Sequence, residues 1–144
     1  MDVREVLGWA ELVAAVLMTG LIWFVHVVHY PLLALVGAEA MPRYHAAHVR
    51  RTTWVVAAPM LVEAGAAVAL FALGGYQSWT RWLGGGLLLL IWSVTALVLV
   101  PAHDRLRAGF DPVVHRRLLR GDLVRALAWS GRTAILVGAA IASR

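Results

Sequence analysis

Four long apolar segments constrain the fold of this chain more than any other feature. They cover about residues 7–36, 43–73, 79–107 and 122–142, and each can supply the roughly 20 residues that a helix needs to cross the bilayer core. A segment in lipid must satisfy its backbone hydrogen bonds internally, so such segments are expected to be helices. The sequence therefore predicts an all-α integral membrane protein, folded as one four-helix bundle.

The composition supports a membrane protein and excludes several other classes. Hydrophobic residues make up 61% of the chain and charged residues 15%, against about 45–50% and about 25% in soluble domains. The absence of cysteine excludes disulfides and thiolate ligands. The net charge of +5 comes from arginines beside the apolar segments, where anionic lipid headgroups explain them. We expect the lipid bilayer to be a partner, and we expect no nucleic acid.

The arginines are distributed unevenly between the two ends of the predicted bundle. The connections at one end carry Arg43, Arg50, Arg51, Arg105, Arg107, Arg116, Arg117, Arg120 and Arg125. The opposite end carries only Arg4, Arg81 and Arg144. Since basic residues favour the cytoplasmic side, the sequence predicts a multi-pass protein of the bacterial inner (cytoplasmic) membrane with both termini on the outer, periplasmic side. The first segment is too long for a signal peptide and is expected to be a retained anchor.

Proline and glycine predict where these helices bend and end. Pro31 is expected to kink the first helix near Val27, because proline lacks an N–H and clashes with the preceding turn. Asp111, followed by proline, predicts the start of a short interfacial helix at about residues 112–120. Gly121 is expected to separate this helix from the last span. A proline and a histidine near the inner end of the first helix in both halves suggest two similar hairpins.

Histidines concentrate around the inner end of the first hairpin, in two pairs three residues apart. On a helix this spacing places two side chains on one face, about 5–6 Å apart. The hairpin turn would bring both pairs to a similar depth, together with a histidine of the third helix. We predict a metal or haem site, since imidazole binds Fe, Cu and Zn and can be an axial haem ligand. The predicted ligands are His26, His29, His48 and His103, with His45 as a fifth candidate.

Two charged residues are expected near the middle of the membrane, where an isolated charge is costly. Glu63 and Arg132 fall at a similar depth, so we predict that they form an ion pair. They are the candidate catalytic groups, with Glu63 handling protons, although such a pair can also serve only to lock two helices together. Likewise, the histidines can be interpreted as ordinary interfacial residues, and His115 is interpreted as a surface residue.

Six short motifs resemble a broad, mostly uncharacterised bacterial family of small His-rich four-span membrane proteins. They are HVVHYPLL, RYHAAHVRR, PMLVE, VPAHDRL, AGFDP and WSGRT. More distantly, the proline after the first span and the Trp/Arg pair in the fourth are similar to anthrone-oxygenase-like membrane proteins. The helix-borne histidines loosely resemble those of membrane protoporphyrinogen oxidases and copper-resistance proteins. These resemblances imply a membrane redox or oxygenase role.

These observations together predict a membrane-embedded oxidoreductase or oxygenase. A transition metal (Fe, Cu or Zn) or haem would lie at the cytoplasmic end of the bundle and act on a lipophilic small molecule that enters laterally. Two alternatives stay open at this point. One is a non-enzymatic protein that binds or transports metal, and the other is an accessory subunit of a larger membrane complex. A homo-oligomer is also compatible with the sequence.

Overall fold

Helices form all the regular secondary structure in residues 1–75 and 78–142, the part of the chain that this computed structural model describes. Arg144 and the side chains of residues 78 and 81 lie outside that description. There are four long helices, which confirms the predicted all-α bundle. They are α1 (Val3–Leu35), α2 (Met41–Ala72), α3 (the consecutive segments Ser78–Val94, Thr95–Leu99 and Val100–Leu106) and α4 (Pro112–Ala142).

Each of the four helices is long and apolar enough to cross a membrane. In their most apolar windows only 17–33% of the residues are buried inside the bundle, and large side chains such as Leu17, Leu89 and Leu97 project outwards. Soluble proteins rarely expose continuous apolar surface of this extent, whereas lipid covers it without cost. These features are those of a multi-pass membrane protein.

A π-helical turn interrupts α1 and another interrupts α3, each ending two residues before a proline. In α1 the turn spans Val25–His29 and precedes Pro31, and in α3 it spans Thr95–Leu99 and precedes Pro101. Proline clashes with the carbonyl four residues earlier, and the wider hydrogen-bonding pattern of a π-helical turn makes room for its ring. The kink predicted near Val27 stays a prediction, and what the structure shows at this position is the π-helical turn.

One histidine of each helical hairpin, α1–α2 and α3–α4, forms a hydrogen bond to the other hairpin. His45 and His115 both lie three residues after a proline in the first turn of their helix. The Nε2–H of His45 donates to the carbonyl of His103 (3.1 Å), and that of His115 donates to the carbonyl of Tyr30 (2.8 Å). The interpretation of His115 as a surface residue is therefore wrong: its side chain is buried and holds the inner end of α1.

The fourth helix is continuous, so the expected break at Gly121 and the separate helix at 112–120 are also wrong. The predicted cap is confirmed, because Asp111 Oδ1 accepts the N–H of Val113 at 2.7 Å. Gly121 has a packing role instead. A Cβ added there would lie 2.9 Å from a methyl of Val98 and 3.0 Å from one of Leu99, so glycine lets α4 approach the π-helical turn of α3 closely.

The packing order leaves one loose interface in the bundle. Helix α1 packs along both α2 and α4, and α3 packs along α4, whereas α2 and α3 meet only sparsely. One apolar core, around Leu33, Leu106 and Leu118, lies at the end of the bundle that carries the α1–α2 and α3–α4 connections, and this end is called the inner end. A second core lies near mid-membrane, around Met18 and Trp129. The sparsely packed interface between α2 and α3 is called the seam.

Replacing Gly121 with leucine should destabilise the bundle by about 1–3 kcal/mol, because overpacking forces neighbouring side chains and backbone apart. The comparison is Gly138→Leu, since a Cβ at Gly138 has no atom within 4 Å. Thermal unfolding in detergent measures both variants. Equal melting temperatures for the two would contradict the close approach of α3 and α4.

Candidate functional site

Four histidines from three helices meet at the inner end of the bundle, and we call them the histidine cluster: His29, His45, His48 and His103. The rings of His45, His48 and His103 stand at the corners of a triangle whose sides are 5.1, 5.7 and 5.9 Å between centroids. The ring of His29 stacks on His48 at 4.3 Å. The structure thus brings together four of the five predicted ligands, and His45 is the most deeply buried of them.

Hydrogen bonds order the histidine cluster and fix part of its protonation. Because the Nε2–H of His45 donates to a carbonyl, its Nδ1 carries the lone pair in the neutral ring, and this buried atom has no hydrogen-bond partner among the described residues. His103 Nδ1 lies 3.2 Å from His45 Nε2, and His103 Nε2 lies 3.0 Å from the hydroxyl of Tyr30. His29 Nε2 and His48 Nδ1 are 2.7 Å apart. The imidazoles therefore form two hydrogen-bonded pairs, His29 with His48 and His45 with His103.

As the side chains stand, no three His, Asp or Glu residues within 1–75 and 78–142 are arranged to hold a metal ion. The hydrogen bonds explain this, since they turn ring nitrogens towards each other and towards Tyr30. A metal ligand must present its lone pair to the ion. Binding at this cluster would require the imidazole rings to exchange these partners for a common one.

A cavity of about 150 Å³ adjoins the histidine cluster. His48, His103 and Tyr30 line its inner wall, Thr52 and Val56 of α2 line one flank, and Thr95, Leu99 and Val100 of α3 line the other. Arg125 of α4 also lines it. Since its two flanks are the helices on either side of the seam, the cavity lies where a molecule could enter from the bilayer.

His26 does not join the histidine cluster, contrary to the predicted pairing with His29. The π-helical turn contains both residues. It has more residues per turn than an α-helix, so side chains three residues apart point in more divergent directions. His26 points towards α4, where its Nδ1 lies 3.4 Å from Asp122 Oδ2. Asp122 is fully buried and accepts a hydrogen bond from Arg125 at 3.1 Å, and Arg125 also donates to Thr95. This second polar group borders the cavity.

Near mid-membrane, Arg132 binds groups from the other three helices. Its Nε donates to Glu63 Oε1 of α2 at 2.6 Å, and its two terminal nitrogens donate to Glu11 of α1 and to the carbonyl of Gly84 in α3. The indole N–H of Trp129 donates to the other oxygen of Glu63 at 2.8 Å. The predicted Glu63–Arg132 pair is confirmed. We call this arrangement the arginine clamp.

The clamp and the histidine cluster are separate sites. Trp129 of α4 links the clamp to Arg125, which lines the cavity, because the Trp129 indole bonds Glu63 and its ring lies 5.4 Å from the guanidinium of Arg125. Neither Glu63 nor Arg132 touches the cavity beside the histidines. The geometry therefore gives these two predicted catalytic residues a role in holding the helices together, and their catalytic role stays a prediction.

Sequence reasoning missed the roles of Tyr30 and Arg125, which line the cavity, and of Asp122, which bonds Arg125. A signal for two of them was present, because Asp122 and Arg125 continue the spacing of Trp129 and Arg132 along one face of a helix. Arg125 was counted only among the basic residues at one end of the bundle. Tyr30 carried no comparable signal, since a tyrosine before proline at the end of a span also fits an interfacial position.

Comparison of the chain with models of protein families, with curated proteins and with solved structures gave no match. The resemblances carried by the sequence motifs thus stay predictions.

Replacing Arg132 with alanine should cost about 3–5 kcal/mol of stability, because Glu63 would keep a buried negative charge without its cationic partner. Changing the arginine together with both carboxylate partners, as Arg132→Met with Glu63→Gln and Glu11→Gln, should recover much of that loss. Thermal unfolding in detergent measures each variant. Arg116→Ala is the control, since this arginine is exposed and should change stability by less than about 0.5 kcal/mol. A stable, inactive Arg132→Ala protein would instead support a catalytic role.

Proposed function

We propose that this protein is a membrane-embedded oxidoreductase that binds a transition metal at the histidine cluster and acts on a lipophilic substrate. His45, His48 and His103 would be the ligands. The observation that carries the proposal is their arrangement: three imidazoles, 5.1–5.9 Å apart between centroids, beside a cavity flanked by α2 and α3. The positive-inside rule supports a cytoplasmic position for this end in a bacterial inner membrane.

The spacing of the rings is that of a metal-binding triad. Three imidazoles around a tetrahedral ion, each about 2.0–2.1 Å from it, place their ring centroids about 5 Å apart. The centroids of His45, His48 and His103 are 5.1–5.9 Å apart. Ring rotation, with little movement of the helices, would therefore bring three nitrogens to one ion. The fourth position would face the cavity, as in catalytic sites that keep one position open.

His29 fits a supporting role beside this triad. A metal-bound histidine usually hydrogen-bonds through its remote nitrogen, which fixes the ring and tunes the metal. His48 Nδ1 is already bonded to His29 Nε2 and lies 3.1 Å from the hydroxyl of Thr52. Its Nε2 is then the nitrogen that can bind metal. The buried, unpartnered Nδ1 of His45 supplies a second lone pair without breaking an existing bond.

The same distances favour a metal ion over haem. Two axial imidazoles on haem have the whole porphyrin between them, whereas the adjoining rings here are 4.3–5.9 Å apart. A ligand set of imidazoles without carboxylate suits Cu, Fe or Zn. For oxidation and reduction the ion must be Cu or Fe, since Zn has no redox chemistry.

The substrate is proposed to enter through the seam. Val49, Val56 and Val100 give its walls an apolar character that suits a hydrocarbon portion. Deeper in, the guanidinium of Arg125 provides a fixed positive group that can bind a carbonyl, hydroxyl or anionic head. Arg125 is oriented by Asp122 and Thr95. A molecule with a polar head and an apolar body would place its head beside the triad.

The metal site predicts a specific pattern among histidine variants. Purified protein should bind about one Cu or Fe ion per chain, and His48→Ala and His103→Ala should each abolish binding. His29→Ala should weaken binding about 10–100-fold, as expected for a supporting residue. Acidification should release the metal, because protons compete for the imidazole nitrogens. Elemental analysis and metal titration measure these effects.

His26→Ala and His115→Ala are the matched controls, since each removes a buried or half-buried histidine outside the triad. Both should keep the metal if they fold. Loss of metal in His26→Ala equal to that in His48→Ala would contradict the assigned ligands. Metal binding without any change of oxidation state on adding a lipophilic quinol, together with metal flux in liposomes, would favour the transport alternative.

Closing the seam should exclude lipophilic molecules from the cavity. Val100→Trp would fill its α3 wall, so labelling of residues 95–104 by an alkyl diazirine probe in liposomes should fall severalfold. Val55→Trp is the control, because Val55 lines an apolar groove between α1 and α2 instead. Mass spectrometry of labelled peptides reads the result. Unchanged labelling in Val100→Trp would show that the probe reaches this region by another path.

A further inference from the structure

A groove between α3 and α4 lies on the outside of the bundle, away from the seam. It has a volume of about 600 Å³. Its apolar part is formed by Val94 and Val98 of α3 and by Val113 and Val124 of α4. Gly121 lies at its base, where the absence of a side chain keeps the groove open. The groove therefore combines an apolar channel with a lipid-facing position.

Three arginines line this groove: Arg116, Arg117 and Arg120. All three are exposed, and none forms an ion pair with an Asp or Glu within the described residues. Three like charges within five residues repel one another, so an anion placed among them would be bound favourably. Guanidinium groups match the oxygens of a phosphate through paired hydrogen bonds.

We propose that this groove binds an anionic phospholipid, with its phosphate held by the three arginines and an acyl chain lying along Val94, Val98 and Val124. The depths agree with this assignment. The arginines occupy the first turns of α4, which begins at Pro112, whereas Val124 lies about 6 Å further along the helix axis than Arg120, at about 1.5 Å per residue. A headgroup at the membrane surface and a chain below it have this same order.

A lipid explains the groove better than a soluble anion does. A free phosphate would use the arginines but leave the apolar channel without an occupant. A basic pocket between helices at one membrane surface is a common kind of site for anionic headgroups. The site is also distinct from the metal proposal, since none of its residues lines the cavity beside the histidine cluster.

The test is native mass spectrometry of the full chain, released from detergent after equilibration with phosphatidylglycerol or phosphatidylcholine. Wild-type protein should retain one phosphatidylglycerol per chain in preference to phosphatidylcholine. In R116Q/R117Q/R120Q its affinity should fall about a hundredfold, given the roughly fivefold that each basic residue contributes near an anionic surface. The matched control is R43Q/R50Q/R51Q, which removes the same charge from exposed arginines of α2 and should keep the lipid.

Val124→Trp tests the apolar half of the site while leaving all three arginines in place. Filling the groove should reduce phosphatidylglycerol retention at least tenfold. Equal loss of lipid in the two arginine triples would overturn the proposal, because it would show unspecific attraction. Normal retention in R116Q/R117Q/R120Q would also overturn it. Competition by glycerol phosphate, with full retention in Val124→Trp, would show a phosphate site without an acyl channel and would overturn the lipid assignment.

Discussion

The four helices depend on one buried guanidinium for their common alignment. Arg132 of α4 bonds Glu63 of α2, Glu11 of α1 and the carbonyl of Gly84 in α3. In lipid the helices gain no hydrophobic driving force from meeting each other, so specific polar contacts must select one arrangement. A charge near mid-membrane is costly unless it is paired. Every packing that separates Arg132 from its carboxylates is therefore disfavoured, and the relative depth of the helices follows from this contact.

Because Arg132 aligns the helices in the middle of the bundle, their backbone at the inner end can depart from a regular α-helix. There, proline and the π-helical turns position the functional side chains. The turn at Val25–His29 sends His26 towards Asp122 on α4 and His29 towards His48 on α2. An uninterrupted α-helix would have kept both histidines on one face. Widened turns of this kind often mark functional sites. Here one turn directs His26 and His29, three residues apart, to two different polar groups.

The sequence predicted what local chemistry determines and missed what tertiary contact decides. Hydropathy was enough for four helices, and the cost of a buried charge was enough to pair Glu63 with Arg132. The break at Gly121 was wrong because glycine has two roles. Its low helix propensity applies in water, whereas here it permits contact with Val98 across the interface. The burial of His115 could not be predicted, since its partner is a carbonyl of a helix 85 residues earlier in the chain.

The sparse packing between α2 and α3 matters for the proposed chemistry, because the cavity beside the histidine cluster lies between these two helices. A triad enclosed by four tightly packed helices would bind metal only as a structural element. Here His48 and His103 border a cavity whose flanks are α2 and α3, two neighbouring helices that meet only sparsely. The hydrogen bonds join the imidazoles in two pairs and leave the buried Nδ1 of His45 without a partner among the described residues. Under the metal-binding proposal, rotation of these rings would exchange such bonds for bonds to one ion, with little movement of the helices.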